Sequence, residues 1–118
     1  MDLRKFFRSF RFAWRGIFWV IKTQQNMRVH LVAAVTALAM AAWFRLGGWE
    51  LAWVVTAVFL VLAGEAFNSA IEAAIDRIGR EEHPLSAAAK DAAAGAVLIL
   101  ALHALIAGMA VFGPRLLR

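Results

Sequence analysis

A chain of 118 residues that is 63% hydrophobic and only 18% charged departs from an ordinary soluble domain, where roughly 45–50% of residues are apolar and roughly 25% charged. The length excludes a two-lobed kinase or a Rossmann unit with a substrate domain, and the lack of cysteine excludes a disulfide framework, a thiolate metal site and a cysteine nucleophile. A net charge of +5 on so apolar a chain points to anionic lipid as the partner, and not to nucleic acid.

Residues 1–28 predict an amphipathic helix lying in the headgroup layer. At about 100° per residue, Leu3, Phe6, Phe7, Phe10, Trp14, Ile17, Phe18 and Ile21 form one apolar stripe, while Arg4, Lys5, Arg8, Arg11, Arg15 and Lys22 gather opposite. Such a helix sinks its rings into the acyl boundary and keeps its cations above. A cleaved signal peptide would instead set a short basic head before a continuous apolar run. The alternative reading is a soluble helix packed on a partner.

Three apolar stretches follow, predicted as transmembrane helices over 29–45, 51–76 and 87–112. The stretch from Val29 to Phe44 holds one titratable group, His30. Its length as a helix, about 24 Å, falls short of the roughly 30 Å hydrocarbon core. It must therefore extend N-terminally or sit where the bilayer thins. Trp43, Trp49 and Trp53 bracket the first turn as an interfacial aromatic belt. A soluble three-helix bundle would need a polar face on each helix, and these have almost none. The expected architecture is an all-α membrane protein, one surface helix followed by three spans. Basic residues crowd the segment before Leu31 and the loop from Arg77 to Lys90, so positive-inside counting assigns both to the cytoplasm and the C-terminus to the outside.

The chemistry gathers at the end of the second span. On an ideal helix with Glu65 at 0°, Glu72 falls at about −20°, Asp76 about +20°, Asn68 about −60° and Ser69 about +40°. All five share one face that rises about 16 Å from the hydrocarbon to the surface. A carboxylate at membrane depth is costly unless paired, protonated or hydrated, and so is a functional candidate. Three carboxylates with an interposed amide can hold a hard divalent cation and still leave a base. The plainer reading is a polar stripe that joins helices by hydrogen bonds, although that would not require three acids.

Ser86 is expected to N-cap the third span. Lys90 would then lie in the first turn, where a cation opposes the helix dipole unless an anion binds. A helix N-terminus beside a lysine suits phosphate; the alternative is a lysine snorkelling to the headgroups. His83 reads as a cap, a nucleotide contact or a solvated loop residue, and His103 as a packed neutral side chain. Gly47-Gly48 lacks the lysine and hydroxyl of a Walker motif, and no HExxH occurs.

The run Glu65-Ala66-Phe67-Asn68-Ser69-Ala70-Ile71-Glu72-Ala73-Ala74-Ile75-Asp76, with Ala89-Lys90-Asp91 after it, resembles the signature of the prokaryotic diacylglycerol kinase family. The likeness covers nearly the whole chain, including Trp14-Arg15-Gly16 and Thr23-Gln24-Gln25-Asn26-Met27-Arg28-Val29-His30. It implies a small lipid kinase of the bacterial cytoplasmic membrane, a homotrimer with its sites at subunit interfaces, moving phosphate from ATP with Mg²⁺ to a lipid alcohol. By that resemblance Glu65 is the general base, Asn68 belongs to the catalytic cluster, and Glu72 ligates the magnesium. Lys5, Phe12, Gln24, Glu72, Glu81, Glu82, His83, Lys90 and Asp91 become nucleotide candidates. Lys5, Asn26, Arg28, Glu65 and Ser69 become lipid candidates.

Two departures stand out. Gln24 is an amide where the family often has a glutamate sharing the metal, and Phe12 and Glu82 replace tyrosines found near the adenine in some relatives. The stretches Asn26–His30 and Lys90–Val97 look more like the undecaprenol-kinase branch, which favours undecaprenol over diacylglycerol as acceptor. Small residues Gly64, Ala70, Ala73, Ala92 and Gly95 suit the close helix approach of an oligomer. A different class, a proton- or cation-conducting oligomer lined by Glu65, Glu72 and Asp76, would account for buried acids but not for the acid–basic loop and the Lys-Asp that follow.

Overall fold

The computed structural model describes residues 1–79 and 82–118, which form four helices. These are α1 (Leu3–Thr23), α2 (Gln25–Trp43), α3 (Gly48–Ile78) and α4 (Pro84–Leu116). Helix α1 opens at Asp2, whose Oδ1 accepts the Arg4 N–H at 3.0 Å. Its one buried residue is Val20, while Phe6, Phe7, Phe10, Trp14 and Phe18 stay exposed. The apolar stripe is thus not consumed by packing within the chain, as a helix that beds into a bilayer requires.

The surface helix expected to reach residue 28 ends at Thr23. Gln24, extended at φ −114° and ψ 114°, donates its N–H to the Val20 carbonyl at 2.9 Å and accepts from the Arg28 N–H at 3.4 Å, so it closes one helix and opens the next. Arg28 fixes the corner. Its Nη1 donates to the carbonyls of Ile21 at 2.9 Å and Lys22 at 3.0 Å, two acceptors that α1 leaves unpaired at its end. Residues 25–28 become the first turn of α2, which lengthens to about 28 Å and closes most of the shortfall seen in the sequence.

Helices α2, α3 and α4 are each long and apolar enough to cross a membrane. Their outer faces stay apolar: Val29, Val32 and Val35 on α2 and Leu98, Ile99, Leu102 and Ile106 on α4 are exposed. The α2–α3 turn is a Schellman close: Leu46 N–H bonds Ala41 O at 2.9 Å and Arg45 N–H bonds Ala42 O at 3.1 Å. Arg45 takes the left-handed position at φ 54°, and Leu46 tucks into a small core with Ala41, Val54, Val111 and Phe112. At the same end Arg115 grips Glu50 with two nitrogens, at 2.6 and 2.9 Å. Trp53 leaves the expected interfacial belt and donates its indole N–H to His103 Nε2 at 3.0 Å, whereas Trp43 and Trp49 remain exposed. His103 is packed, as expected.

The start of α4 differs from expectation. His83 is its N-cap, with Nδ1 accepting the Leu85 N–H at 3.1 Å, and Pro84 takes the first helical position, where no N–H is needed. Ser86 therefore sits inside the first turn, and Lys90 lies beyond it. The dipole acts mainly within that turn, so Lys90 answers to another partner. At its far end α4 continues past residue 112 and through Pro114 to Leu116, where Arg115 also donates to the Val111 carbonyl at 2.8 Å. A Cβ on Gly64 would overlap Leu100 of α4, which marks the close approach of α3 and α4 one residue before the polar stripe begins.

Candidate functional site

The five polar residues of α3 do share a face, and burial grades along it. Glu65 is 1% exposed, Asn68 6% and Ser69 0%; Glu72 is half-buried and Asp76 exposed. The stripe runs from the bundle interior to the helix end, as the 3.6-residue period requires. Ser69 donates its hydroxyl to the Glu65 carbonyl at 2.9 Å, a bond within the helix that leaves its oxygen to accept. Asn68 Oδ1 is buried with no partner among the described residues. A buried amide oxygen left open in this way is costly unless a ligand meets it.

Glu65 has a neighbour that the sequence reading did not assign to the site. His30 Nε2 on α2 lies 3.8 Å from Glu65 Oε2, with side-chain exposures of 22% and 2%. His30 also lines a groove of about 320 Å³ running between α2, α3 and α4, whose other walls are Ala33, Ala34, Ala37, Val54, Val58, Val61 and residues of α4. Apart from His30 that lining is wholly apolar. The groove thus has the character of a site for hydrocarbon, with one polar residue and, beside it, a carboxylate.

A second element lies at the end of the stripe. Lys90 Nζ meets Asp76 Oδ1 at 2.5 Å and stands in the field of Glu72 as well. Ile75, Asp76, Gly79, Glu82, His83, Ser86, Ala87 and Lys90 line an open cleft of about 570 Å³. This brings four polar candidates together at the turn between α3 and α4. Because His83 Nδ1 accepts from the backbone, the donor proton of a neutral ring there is the one on Nε2.

Other candidates are not gathered by one chain. Lys5 and Phe12 lie about 22 and 12 Å along α1 from Val20, the residue that seats that helix; Phe12 instead lies under the Arg15 guanidinium at 5.4 Å. Asn26 and Asp91 are exposed. Arg28 is occupied at the α1–α2 corner. Gln24 is half-buried, and its amide donates to Thr23 Oγ1 at 3.5 Å, which leaves the carbonyl oxygen free of any bond among the described residues. Glu81 lies outside the described residues. Among those described, no three of His, Asp and Glu converge as a metal-binding group. Half-buried Glu72 and the open carbonyl of Gln24 are oxygen donors of the hard kind that Mg²⁺ takes.

The chain matches the family model described as prokaryotic diacylglycerol kinase over residues 11–112. It is 40% identical over 119 residues to the undecaprenol kinase of Bacillus subtilis (strain 168), covering 98% of this chain and 94% of that protein. It is 37% identical over 110 residues to a diacylglycerol kinase of Synechocystis sp., covering 92% of this chain and 63% of that one. With the diacylglycerol kinase of Escherichia coli (strain K12) it shares 37% identity over 95 residues, 80% of this chain and 78% of the relative. Those relatives do not favour the conducting oligomer. The match over residues 11–112 covers most of the chain and all three helices long enough to span a membrane bar their outermost residues, and the chain belongs to the prokaryotic diacylglycerol kinase family of membrane lipid kinases.

Proposed function

We propose that the protein transfers the γ-phosphate of ATP to the hydroxyl of a membrane lipid alcohol, with undecaprenol as the favoured acceptor and diacylglycerol the alternative. The observation that carries this reading is the single face of α3: a buried carboxylate at Glu65, beside an apolar groove, leads to the Asp76–Lys90 pair at the cleft. An alcohol with a hydrocarbon tail in the groove puts its hydroxyl at the level of Glu65. Glu65 takes the hydroxyl proton, the alcohol oxygen bonds the γ-phosphorus, and the bond to ADP breaks. Lys90 neutralises phosphate charge, the main demand of phosphoryl transfer. Glu72, with the Gln24 carbonyl, would hold the Mg²⁺ that comes with ATP and add further neutralisation. Lys5 and Phe12 lie on a helix that its own chain leaves free, which supports a homotrimer in which α1 of one copy serves the site of another.

The cytoplasmic side is proposed for the N-terminus and the α3–α4 loop, since the basic residues concentrate there. One experiment tests chemistry and orientation together. Sealed inside-out bacterial membrane vesicles are given external radiolabelled ATP and either undecaprenol or diacylglycerol, and the lipids are separated on thin layers. Label should enter lipid, more with undecaprenol, and should be absent from right-side-out vesicles. Label in neither lipid would overturn the kinase reading; label from right-side-out vesicles alone would overturn the orientation.

The metal assignment has its own test. A site with one carboxylate where relatives often have two binds Mg²⁺ less tightly before nucleotide arrives. Gln24→Glu should therefore lower the Mg²⁺ concentration for half-maximal rate at fixed ATP, and Gln24→Ala should raise it, both with little change in apparent lipid affinity. Superimposable titrations of the three proteins would take Gln24 out of the metal site.

A further inference from the structure

We infer that His30 is a positioning residue that holds the Glu65 carboxylate in its working orientation, an inference that rests on the general-base reading of Glu65. Glu65 needs a partner: its side chain is 2% exposed, and a buried carboxylate without one is strongly disfavoured. The other charged and titratable groups on the packed elements are committed or distant. On α1, Lys22 is exposed. On α2, Arg28 is bound to the Ile21 and Lys22 carbonyls. Further along α3, Glu72 is two turns away and of like sign. On α4, Lys90 pairs with Asp76, Asp91 is exposed, and His103 is bonded to Trp53. Among the described residues, His30 is the one base with a nitrogen within 4 Å of Glu65, at 3.8 Å.

That separation is about 0.6 Å beyond the hydrogen-bond range, a gap that a rotation of either side chain can close. His30 Nε2–H then donates to one oxygen of Glu65 and leaves the other to accept the proton of the lipid hydroxyl. In the step, the O–H bond breaks, the proton settles on Glu65, the alcohol oxygen bonds the γ-phosphorus, and the bridging oxygen leaves with ADP; Glu65 afterwards releases the proton to water. His30 neither gains nor loses a proton in this sequence. Its place on the groove wall puts it between the acceptor's hydrocarbon and the base, so it sets the angle at which the carboxylate meets the alcohol.

The test is a double-mutant cycle on the full chain in lipid-supplemented detergent, with His30→Ala, His30→Gln, Glu65→Gln and the double variant His30→Ala/Glu65→Gln. His30→Ala should lower kcat by about 10–100-fold, the range for losing one hydrogen bond to a charged group, with KM for ATP changed less than twofold. His30→Gln sets an amide N–H near the position of Nε2 and should recover most of kcat. In the Glu65→Gln background His30→Ala should cost nothing further, because a residue acting through Glu65 has nothing left to position. Should His30→Ala fail to fold, the cycle is completed with His30→Leu, which fills the site without a donor. Losses that multiply in the double variant, or a His30→Gln protein no better than His30→Ala, would overturn the inference while leaving the base assignment intact. Full turnover in Glu65→Gln alone would instead overturn the general-base reading.

Discussion

Glu65→Gln should cost about 10²–10⁴-fold in turnover, the usual contribution of a positioned general base, while ATP binding is kept. The substitution preserves size and hydrogen-bonding capacity at a position that is 1% exposed, so packing against α2 and α4 is undisturbed. It removes only the acceptor for the hydroxyl proton. The discriminating measurement is kcat beside the dissociation constant of a non-hydrolysable ATP analogue. Lost turnover with unchanged nucleotide affinity fits a carboxylate that meets the lipid hydroxyl and leaves the phosphates to Lys90 and Glu72. A variant that loses nucleotide affinity and keeps turnover would mean that the roles of Glu65 and Glu72 are exchanged.

Lys90→Ala should raise KM for ATP roughly 10–100-fold, the range for losing a hydrogen bond between charged groups, with a smaller effect on the lipid. Before nucleotide arrives the lysine is tethered to Asp76 at 2.5 Å, in a cleft shared with Glu82 and His83. A lysine is a flexible four-carbon stem carrying a point charge, so the tether limits where that charge can be. Asp76→Asn should therefore raise KM as well, but by less than Lys90→Ala, because the cation survives and only its placement suffers. Initial rates over an ATP titration at saturating lipid separate the cases. An unchanged KM in Lys90→Ala would assign the lysine to the headgroups. A lower KM in Asp76→Asn would make Asp76 a competitor for the lysine that ATP must displace, and not an aid to it.

Much of the molecule was legible in the sequence, because the signals concerned are local. Hydropathy alone identifies three helices able to span a membrane; a period of 3.6 residues puts Phe6, Phe10 and Trp14 on one side of α1 and gathers Glu65, Asn68, Ser69, Glu72 and Asp76 on one side of α3. A helix presents its faces in this way whatever it packs against. The tertiary structure decided which residues meet across helices and where helices stop. The partners Lys90 with Asp76, His30 with Glu65, Trp53 with His103 and Arg115 with Glu50 depend on the rotation and axial shift of one helix against another, and no local pattern sets either. The stop at Thr23 has the same cause. The surface helix is amphipathic up to the corner and could have continued, but Arg28 of the next helix takes the Ile21 and Lys22 carbonyls in its last turn. The start of α4 escaped for a subtler reason: serine is the better N-cap by type, yet Pro84, fitted for a first helical position, moves the cap to His83. That shift carries Lys90 out of the first turn, and Asp76, in place of the helix dipole, becomes the group that governs it.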